Sequence, residues 1–262
     1  MKLNSKRKIK RPGLVVSEER GVRHLHLGGK AIQSAMRLQD PFALELDYTR
    51  CMMAFLLFHP EPRRALMIGL GGGSLAKFFH RRLPRLRTHV KEYDERVIAT
   101  ARALFHVPAD DARLAIEHGD GVEALAPECC DLLVVDGFED ESTPTALVSQ
   151  AFFDAAWRAL EEPGALVMNF MDDGKDFDRH LQRLEIAFGG AVLAFQSPRD
   201  PNIVVIALKG APLEIKWREL RARAAVLERK YGLPFPRYVE RLRSMNRWTA
   251  DALLVVPPCG DG

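Results

Sequence analysis

Three acidic residues follow a glycine-rich turn in this chain, each at the end of a short apolar run. The turn at 69–74 reads Gly-Leu-Gly-Gly-Gly-Ser, and the acids are Glu92, Asp120 and Asp136. Glycines let a backbone approach a ligand closely, and the N-terminus of a following helix offers unpaired N–H groups. A carboxylate about twenty residues beyond such a turn can accept the hydroxyl hydrogens of a ribose. The spacing therefore predicts a nucleotide or nucleoside pocket.

Each acid also has a purely structural interpretation. Glu92 and Asp94 can form a charge pair at the start of a helix, because Asp94 is a suitable N-cap for the segment that follows. Asp120 can cap a turn, and Asp136 can simply end a strand. Both interpretations stay open for each acid taken singly. Capping alone does not explain an acid at three successive strand ends beside a glycine turn.

An alternation of short apolar runs and longer amphipathic stretches positions these residues. Such alternation is typical of parallel strands joined by crossover helices in an α/β fold. We predict strands, each followed by a helix, at 65–69, 88–92, 113–117, 132–136 and 165–170. Segments 192–195 and 203–208 predict a hairpin at the edge of the sheet. Ligands of open α/β sheets bind at the carboxyl ends of the strands, where the acids stand.

The flanking segments add smaller units. The predicted boundaries are 1–12 for a basic flexible tail, 13–40 for a small β unit, 41–210 for the main Rossmann-like domain, and 211–262 for a helical extension and tail. The β unit has predicted strands at 14–16, 23–27 and 30–33, the last two joined at Gly28-Gly29. The main domain starts with a lead-in helix that ends before Pro60, and the extension with a helix at 213–231.

Composition restricts the class of protein. The 262 residues are 47% hydrophobic and 28% charged, which is typical of a globular chain and excludes disordered and collagen-like classes. Much of the net charge of +3 comes from lysines and arginines in the first 11 residues. A solvated tail is the favoured interpretation over a nucleic-acid or lipid contact. Acids and bases interleave in the helix at 213–231, so we predict no nucleic-acid partner.

The same sequence has no membrane or metal signal. No stretch approaches the roughly twenty apolar residues of a membrane helix, and no apolar core follows the N-terminal charges. We therefore predict no membrane partner and a cytoplasmic location. The four cysteines and eight histidines lack C-x-x-C and H-E-x-x-H spacing. We predict no metal.

Several segments match a known family in order and spacing. They are RHLHLGGKAIQS at 23–34, HPEPRRALMIG at 59–69, EYDERVI at 92–98, GDG at 119–121, DLLVVD at 131–136, and the stretch from 152 to 164. With these segments the chain resembles the spermidine synthase, or polyamine aminopropyltransferase, family from Gly13 to about Leu208. The family is a branch of the S-adenosylmethionine-dependent methyltransferase fold. The resemblance implies a Rossmann-like, mostly parallel sheet with an antiparallel edge hairpin.

The resemblance also implies a reaction and a set of residues. In the implied reaction an amine such as putrescine attacks the carbon beside the sulfonium of decarboxylated S-adenosylmethionine, in a homodimeric enzyme. By resemblance Glu92 holds the ribose, Asp120 the adenine, and Asp136 activates the amine. The residues it assigns to the nucleoside donor are Gln33, Gly69, Gly71, Gly72, Glu92, Asp120 and Gly121.

The departures from the family lie on the polyamine side. Gly72 stands where the family has an aspartate, which in the family holds the ammonium end of the aminopropyl group. Losing the charge-assisted hydrogen bond of that aspartate would cost about 1.5–3 kcal/mol of binding free energy. Asp47-Tyr48-Thr49 replaces a Tyr-(His or Gln)-Glu segment, and Asn169-Phe170-Met171 replaces Gln-Gly-Glu. Ser-Ser-Asp-Pro becomes Gly-Phe-Glu-Asp at 137–140, where Glu139 and Asp140 are candidate substrate contacts. Their loop is either a mobile cover of the acceptor or a solvated surface loop.

Three other functions stay open. A methyltransferase that uses intact S-adenosylmethionine fits Gly72, because a glycine there would leave room for the donor's carboxylate. A non-catalytic nucleoside-binding protein fits the rewritten polyamine side. A nicotinamide-dependent oxidoreductase is weaker, because Ser74 stands where the dinucleotide fingerprint has its last glycine.

Overall fold

The N-terminal unit is a three-stranded antiparallel sheet. In a computed structural model that describes residues 13–28, 32–137, 144–171 and 176–255, its strands are β1 (Leu14–Glu19), β2 (Val22–Leu27) and β3 (Ser34–Arg37). The third strand was predicted at 30–33 but begins at Ser34, which pairs with Leu25. The later register buries Ala35 and Met36, each 1% exposed. Hydrophobic burial therefore sets the register, and Gln33 lies just before the strand.

The lead-in segment is shorter than predicted. It consists of α1 (Asp47–Met52) followed directly by a 3₁₀ helix at Met53–Leu57. Residues 41–46 do not extend the helix, and the Glu45 carboxylate accepts a hydrogen bond from Arg37 Nε (3.0 Å). This bond ties the segment to β3. The 3₁₀ helix is buried along its whole length, so it anchors the segment in the core.

The main domain follows the predicted α/β alternation. Its elements are β4 (Arg64–Ile68), α2 (Ser74–Arg82), β5 (Arg87–Glu92), α3 (Glu95–Leu104), β6 (Leu114–His118), β7 (Cys130–Val135), α4 (Gln150–Ala159), β8 (Leu160–Met171), α5 (Phe177–Ala187), β9 (Val192–Gln196) and β10 (Asn202–Lys209). The seven strands have the order β6-β5-β4-β7-β8-β10-β9. Strands β4 to β8 are parallel, and β10 is antiparallel to β8 and β9. The predicted edge hairpin is confirmed.

The prediction of a helix after β6 is wrong. Residues 119–129 form turns, and a 3₁₀ helix at Thr145–Val148 precedes α4. Pro127 interrupts the segment and prevents a continuous helix through it. Gly121 packs so tightly on β4 that a Cβ there would overlap Ile68 Cγ2. The short turn keeps Asp120 at the end of its strand.

Helices cover both faces of the sheet. Alternate residues of β4 point to opposite faces, so Ala65 and Met67 belong to the hydrophobic cluster of α2 and α3, and Leu66 and Ile68 to that of α4 and α5. A strand buried on both sides is typical of the centre of a parallel sheet. The carboxyl edge of β4 and its neighbours is therefore fixed by the core.

The C-terminal part packs on this body. Its elements are β11 (Glu214–Lys216), α6 (Trp217–Tyr231), α7 (Phe235–Met245) and β12 (Ala252–Leu254). The helix predicted at 213–231 starts at Trp217, because residues 214–216 pair with β12 instead. Arg223 Nη1 donates to the Leu57 carbonyl (2.9 Å) and joins α6 to the 3₁₀ helix. Within the described part of the chain, no helix is both long and apolar enough to cross a membrane.

Candidate active site

Asp136 lies one residue beyond β7, and its carboxylate is held by two side chains. Its Oδ1 accepts a hydrogen bond from Asn169 Nδ2 (3.1 Å), and its Oδ2 accepts one from the Tyr48 hydroxyl (3.3 Å). Burial raises the pKa of Asp136 to about 6, although the bonds from Asn169 and Tyr48 act to lower it. A carboxylate with this pKa is deprotonated at pH 7 and basic enough to accept a proton.

Tyr48 was missed from the sequence, because its segment was interpreted as a loss of the family motif. The tyrosine is nevertheless present, and α1 places it against Asp136. Its hydroxyl also lies within 3.4 Å of the Gln33 carbonyl oxygen. Burial and the charge of Asp136 raise the pKa of Tyr48 well above its ordinary value, so it stays a neutral donor. The signal in the sequence was the tyrosine itself, not the residues after it.

Glu92 ends β5 and faces the glycine turn. Its Oε2 accepts a hydrogen bond from the Leu70 N–H (2.8 Å), and its Oε1 accepts one from the Asp94 N–H (2.9 Å). Burial raises the pKa of Glu92, and the backbone hydrogen bonds oppose that shift. Asp94 supplies the cap of α3 by accepting from the Arg96 N–H (3.0 Å). The capping interpretation therefore holds for Asp94, and Glu92 is oriented toward the turn.

The glycine turn packs against both Asp136 and the N-terminal sheet. Gly69 has φ +93°, and a Cβ there would overlap the Asp136 backbone oxygen, so only glycine fits. The Gly72 N–H donates to Ser34 Oγ (2.8 Å). A Cβ at Gly72 would lie 2.9 Å from Phe105 Cδ1 and 3.0 Å from Ser34 Cβ. Gly72 therefore has little room for a side chain on the side of Phe105 and Ser34. Its role in leaving space for a donor carboxylate stays a prediction.

One cavity of about 360 Å³ runs along the carboxyl edge from β6 to β7. Of the residues predicted to bind the nucleoside donor, the cavity wall includes Gln33, Gly69, Gly71, Glu92, Asp120 and Gly121. Asp136, Tyr48 and Ser34 line it as well. Gly72 lies behind the wall, against Ser34. The turn, two of the strand ends and Asp136 therefore meet in one space.

Asp120 caps a turn and also lines the cavity. Its Oδ1 accepts a hydrogen bond from the Val122 N–H (2.8 Å), so it caps the turn after β6. It is also exposed to the cavity that Glu92 lines. The candidate substrate contacts Glu139 and Asp140 lie outside the described residues. Among the residues that are described, no group of three or more His, Cys, Asp or Glu side chains could hold a metal ion.

The fold and the site together define a class. A mostly parallel sheet covered on both faces, with a glycine turn and acids at successive strand ends, defines the Rossmann-like, methyltransferase-type fold class. A scan of protein-family models gave no match. The comparison with curated proteins identifies the family within this class.

The curated relatives are polyamine aminopropyltransferases. The protein of that name from Chromobacterium violaceum is 37% identical over 246 residues, which cover 93% of this chain and 94% of the relative. That from Neisseria meningitidis serogroup A is 37% identical over 238 residues, which cover 90% of each chain. The chain belongs to the polyamine aminopropyltransferase family, which confirms the resemblance found in the sequence.

Solved structures agree on the fold. A probable spermidine synthase from Corynebacterium glutamicum superposes with a TM-score of 0.69 at 21% identity, covering 84% of this chain and 85% of the other. Human methyltransferase-like protein 13, solved with SAH, gives a TM-score of 0.63 at 23% identity and covers 79% and 96%. At these identities the likeness establishes the fold, and the fold is shared by both kinds of transferase.

Proposed function

We propose that this protein transfers the aminopropyl group of decarboxylated S-adenosylmethionine to a small amine. The observation that carries the proposal is that one cavity contains both Glu92 and the carboxylate of Asp136. The first suits a ribose, and the second suits the activation of an amine. Membership of the polyamine aminopropyltransferase family supports the same reaction.

The nucleoside end of the cavity fits an adenosyl donor. The Leu70 and Asp94 N–H groups fix the Glu92 carboxylate, which leaves its remaining lone pairs for two ribose hydroxyls. Asp120 stands at the next strand end, where it can accept from an adenine amino group. Gly69 and Gly121 pack tightly against Asp136 and Ile68, and both line the cavity in which the nucleoside would bind.

Asp136 then acts on the acceptor. The amine nitrogen forms a bond to the methylene carbon beside the sulfonium, the carbon–sulfur bond breaks, and its electron pair leaves with methylthioadenosine. The attacking nitrogen loses a proton, which Asp136 accepts. Tyr48 and Asn169 hold the two carboxylate oxygens, so the base is oriented before the amine arrives.

We also propose an acceptor, an assembly state and a location for the protein. Putrescine is the acceptor that the family suggests, and the loop containing Glu139 and Asp140 is the candidate for its contacts. A homodimer and a cytoplasmic location are likewise inferred from the resemblance and the sequence. We propose that the reaction needs no metal.

Product analysis of the purified protein tests the proposal. Mass spectrometry follows reactions of putrescine and other small amines with either decarboxylated or intact S-adenosylmethionine. We expect methylthioadenosine and an amine enlarged by one aminopropyl group, with the decarboxylated donor only. Release of S-adenosylhomocysteine from the intact donor would instead indicate methyl transfer. Binding of methylthioadenosine without any product would show a non-catalytic nucleoside-binding protein.

A further inference from the structure

Three polar residues lie in a row across three neighbouring strands, beginning with Asp136 on the cavity wall. Asp136 follows β7, Asn169 lies on β8, and Asn202 starts β10. In the registers, Val135 of β7 pairs with Met168, and Asn202 pairs with Met171. Asn202 and Asn169 are therefore diagonal neighbours, and Asp136 stands beside Asn169. The topology of the sheet, rather than sequence proximity, brings the row together.

The hydrogen bonds along this row have a direction. Asn202 Nδ2 donates to Asn169 Oδ1 (2.9 Å), and Asn169 Nδ2 donates to Asp136 Oδ1 (3.1 Å). An asparagine amide has a donor end and an acceptor end. Because Asn202 occupies the acceptor end of Asn169, the donor end faces the Asp136 carboxylate. The reverse orientation would place two oxygens against each other.

Burial makes this direction difficult to reverse. Asn169 is 2% exposed and Asn202 is 7% exposed. Bulk water therefore cannot replace the hydrogen bonds that either amide would lose if it were flipped. Asn202 is itself fixed by its backbone, since its N–H donates to Asp200 Oδ1 (3.2 Å) and its carbonyl accepts from the Ser197 N–H (2.8 Å). The start of β10 thus holds the first donor in place.

We propose that Asn202 is a positioning residue for the transfer reaction, which orients the Asp136 carboxylate through Asn169 so that it accepts the proton of the amine. This inference rests on the proposed function. Among the described residues, Tyr48 from α1 is a titratable group that hydrogen-bonds to Asp136, and Asp200 in the 197–202 turn acts electrostatically on Tyr48. Neither can substitute for Asn202, because neither donates to Asn169 Oδ1.

The near-isosteric variant Asn202→Asp reverses the polarity of the row. A carboxylate at 202 accepts rather than donates, so Asn169 turns its amino group toward it and its oxygen toward Asp136. Asp136 then holds its proton to a higher pH. We expect the acidic limb of the kcat–pH profile to move up by about one pH unit or more. At pH values below this limb, kcat should be roughly tenfold lower than in the wild type. Methylthioadenosine affinity stays unchanged, because Glu92 lies at the other end of the cavity.

Asn246→Asp is the matched control. Asn246 is a partly buried asparagine whose amide bonds the backbone of Ala194 in the same sheet, far along the chain from Asp136. Its variant tests the general cost of an Asn-to-Asp change, and we expect it to lower stability without moving the acidic limb. Asn202→Ala removes the donor without adding a charge, and it should move the limb in the same direction by a smaller amount.

A second readout separates this inference from the proposed function. The carboxyl ¹³C NMR signal of Asp136, assigned by its loss in Asp136→Asn, gives a titration midpoint without turnover. If the wild-type protein shows no transfer, the proposed function fails, yet a raised midpoint in Asn202→Asp still supports the orienting role. If the midpoint and the limb of Asn202→Asp both match the wild type, the inference is overturned even in an active enzyme.

Discussion

The Glu92 carboxylate and the Leu70 backbone N–H are joined by a hydrogen bond of 2.8 Å. This bond links the end of β5 to the turn after β4, two strands that lie side by side in the sheet. The acid is therefore held by the same turn that its ligand would contact. Asp136 is held in a different way, by side chains of α1 and β8. The two ends of the cavity can accordingly be tested separately.

Glu92→Gln should weaken nucleoside binding. The amide keeps the size of the side chain but removes the charge, and its amino end opposes one of the two backbone N–H donors. Losing hydrogen bonds to a charged group costs about 1.5–3 kcal/mol, which is roughly tenfold or more in affinity. Isothermal titration with methylthioadenosine measures the change. Glu95→Gln, an exposed acid at the start of α3, is the control, and equal affinities for both variants would remove Glu92 from the site.

Asp136→Asn should abolish turnover without lowering stability. Because the folded-state pKa of about 6 lies above the ordinary value of 3.8, the free energy of unfolding falls as pH rises through this range. The neutral amide avoids that loss, so above pH 6 the variant should be as stable as the wild type or more stable by about 1–3 kcal/mol. Wild-type kcat/KM should in turn increase from pH 5 to pH 7.

Denaturant unfolding and steady-state rates from pH 5 to pH 8 check both halves of this expectation. Asp178→Asn, an exposed acid on α5, serves as the control and should follow the wild type in each assay. Retained turnover in Asp136→Asn would exclude its carboxylate as the proton acceptor. Lower stability above pH 6 would show that its charge is stabilised rather than penalised by its surroundings.

Gly72→Asp should destabilise the protein although it restores the family's residue. The new Cβ would lie 2.9 Å from Phe105 Cδ1 and 3.0 Å from Ser34 Cβ, so both neighbours must move. Overpacking of this kind costs about 1–3 kcal/mol. Thermal unfolding measures the loss, with Gly13→Asp as a control because nothing lies within 4 Å of that site. An unchanged melting temperature would mean that the turn accommodates a side chain here.

The strands and the acids at their ends were predictable because central parallel strands are continuous apolar runs. The predicted strand at 65–69 lies within one residue of β4, and that at 88–92 within one residue of β5. Asn202 was not predictable as a site residue, and the contact between Tyr48 and Asp136 was not predictable either. Tyr48 is 88 positions from Asp136, and Asn202 reaches it only through Asn169. Contacts at such separations follow from the strand order, which periodicity does not specify.

The surroundings of Gly72 were likewise not predictable from the sequence. Its place in the glycine turn was evident from the family pattern, but the pattern does not say what fills the space beside it. Ser34 reaches the turn from the N-terminal sheet, and Phe105 reaches it from the end of α3. Only the packing of the N-terminal sheet, the glycine turn and the end of α3 shows that position 72 has little room for a side chain.

Lys77→Met should remove a pH dependence of stability. Lys77 is 1% exposed on α2, and its Nζ donates to the Phe105 carbonyl (2.7 Å), which braces the residue that packs on Gly72. Burial lowers the pKa of Lys77 from 10.5 to about 8. Between these two pH values the unfolded chain keeps a proton that the folded chain has lost, so the free energy of unfolding gains up to about 1.4 kcal/mol per pH unit.

Urea unfolding from pH 7 to pH 10 measures this gain as the difference between the wild type and the variant. We expect wild-type stability to rise relative to Lys77→Met over that range, because methionine has no proton to release. Lys230→Met, which changes an exposed lysine of α6, should keep the wild-type slope. A constant difference between the wild type and Lys77→Met would mean that the buried ammonium keeps its proton throughout. In that case the bond to Phe105 would compensate for the loss of hydration.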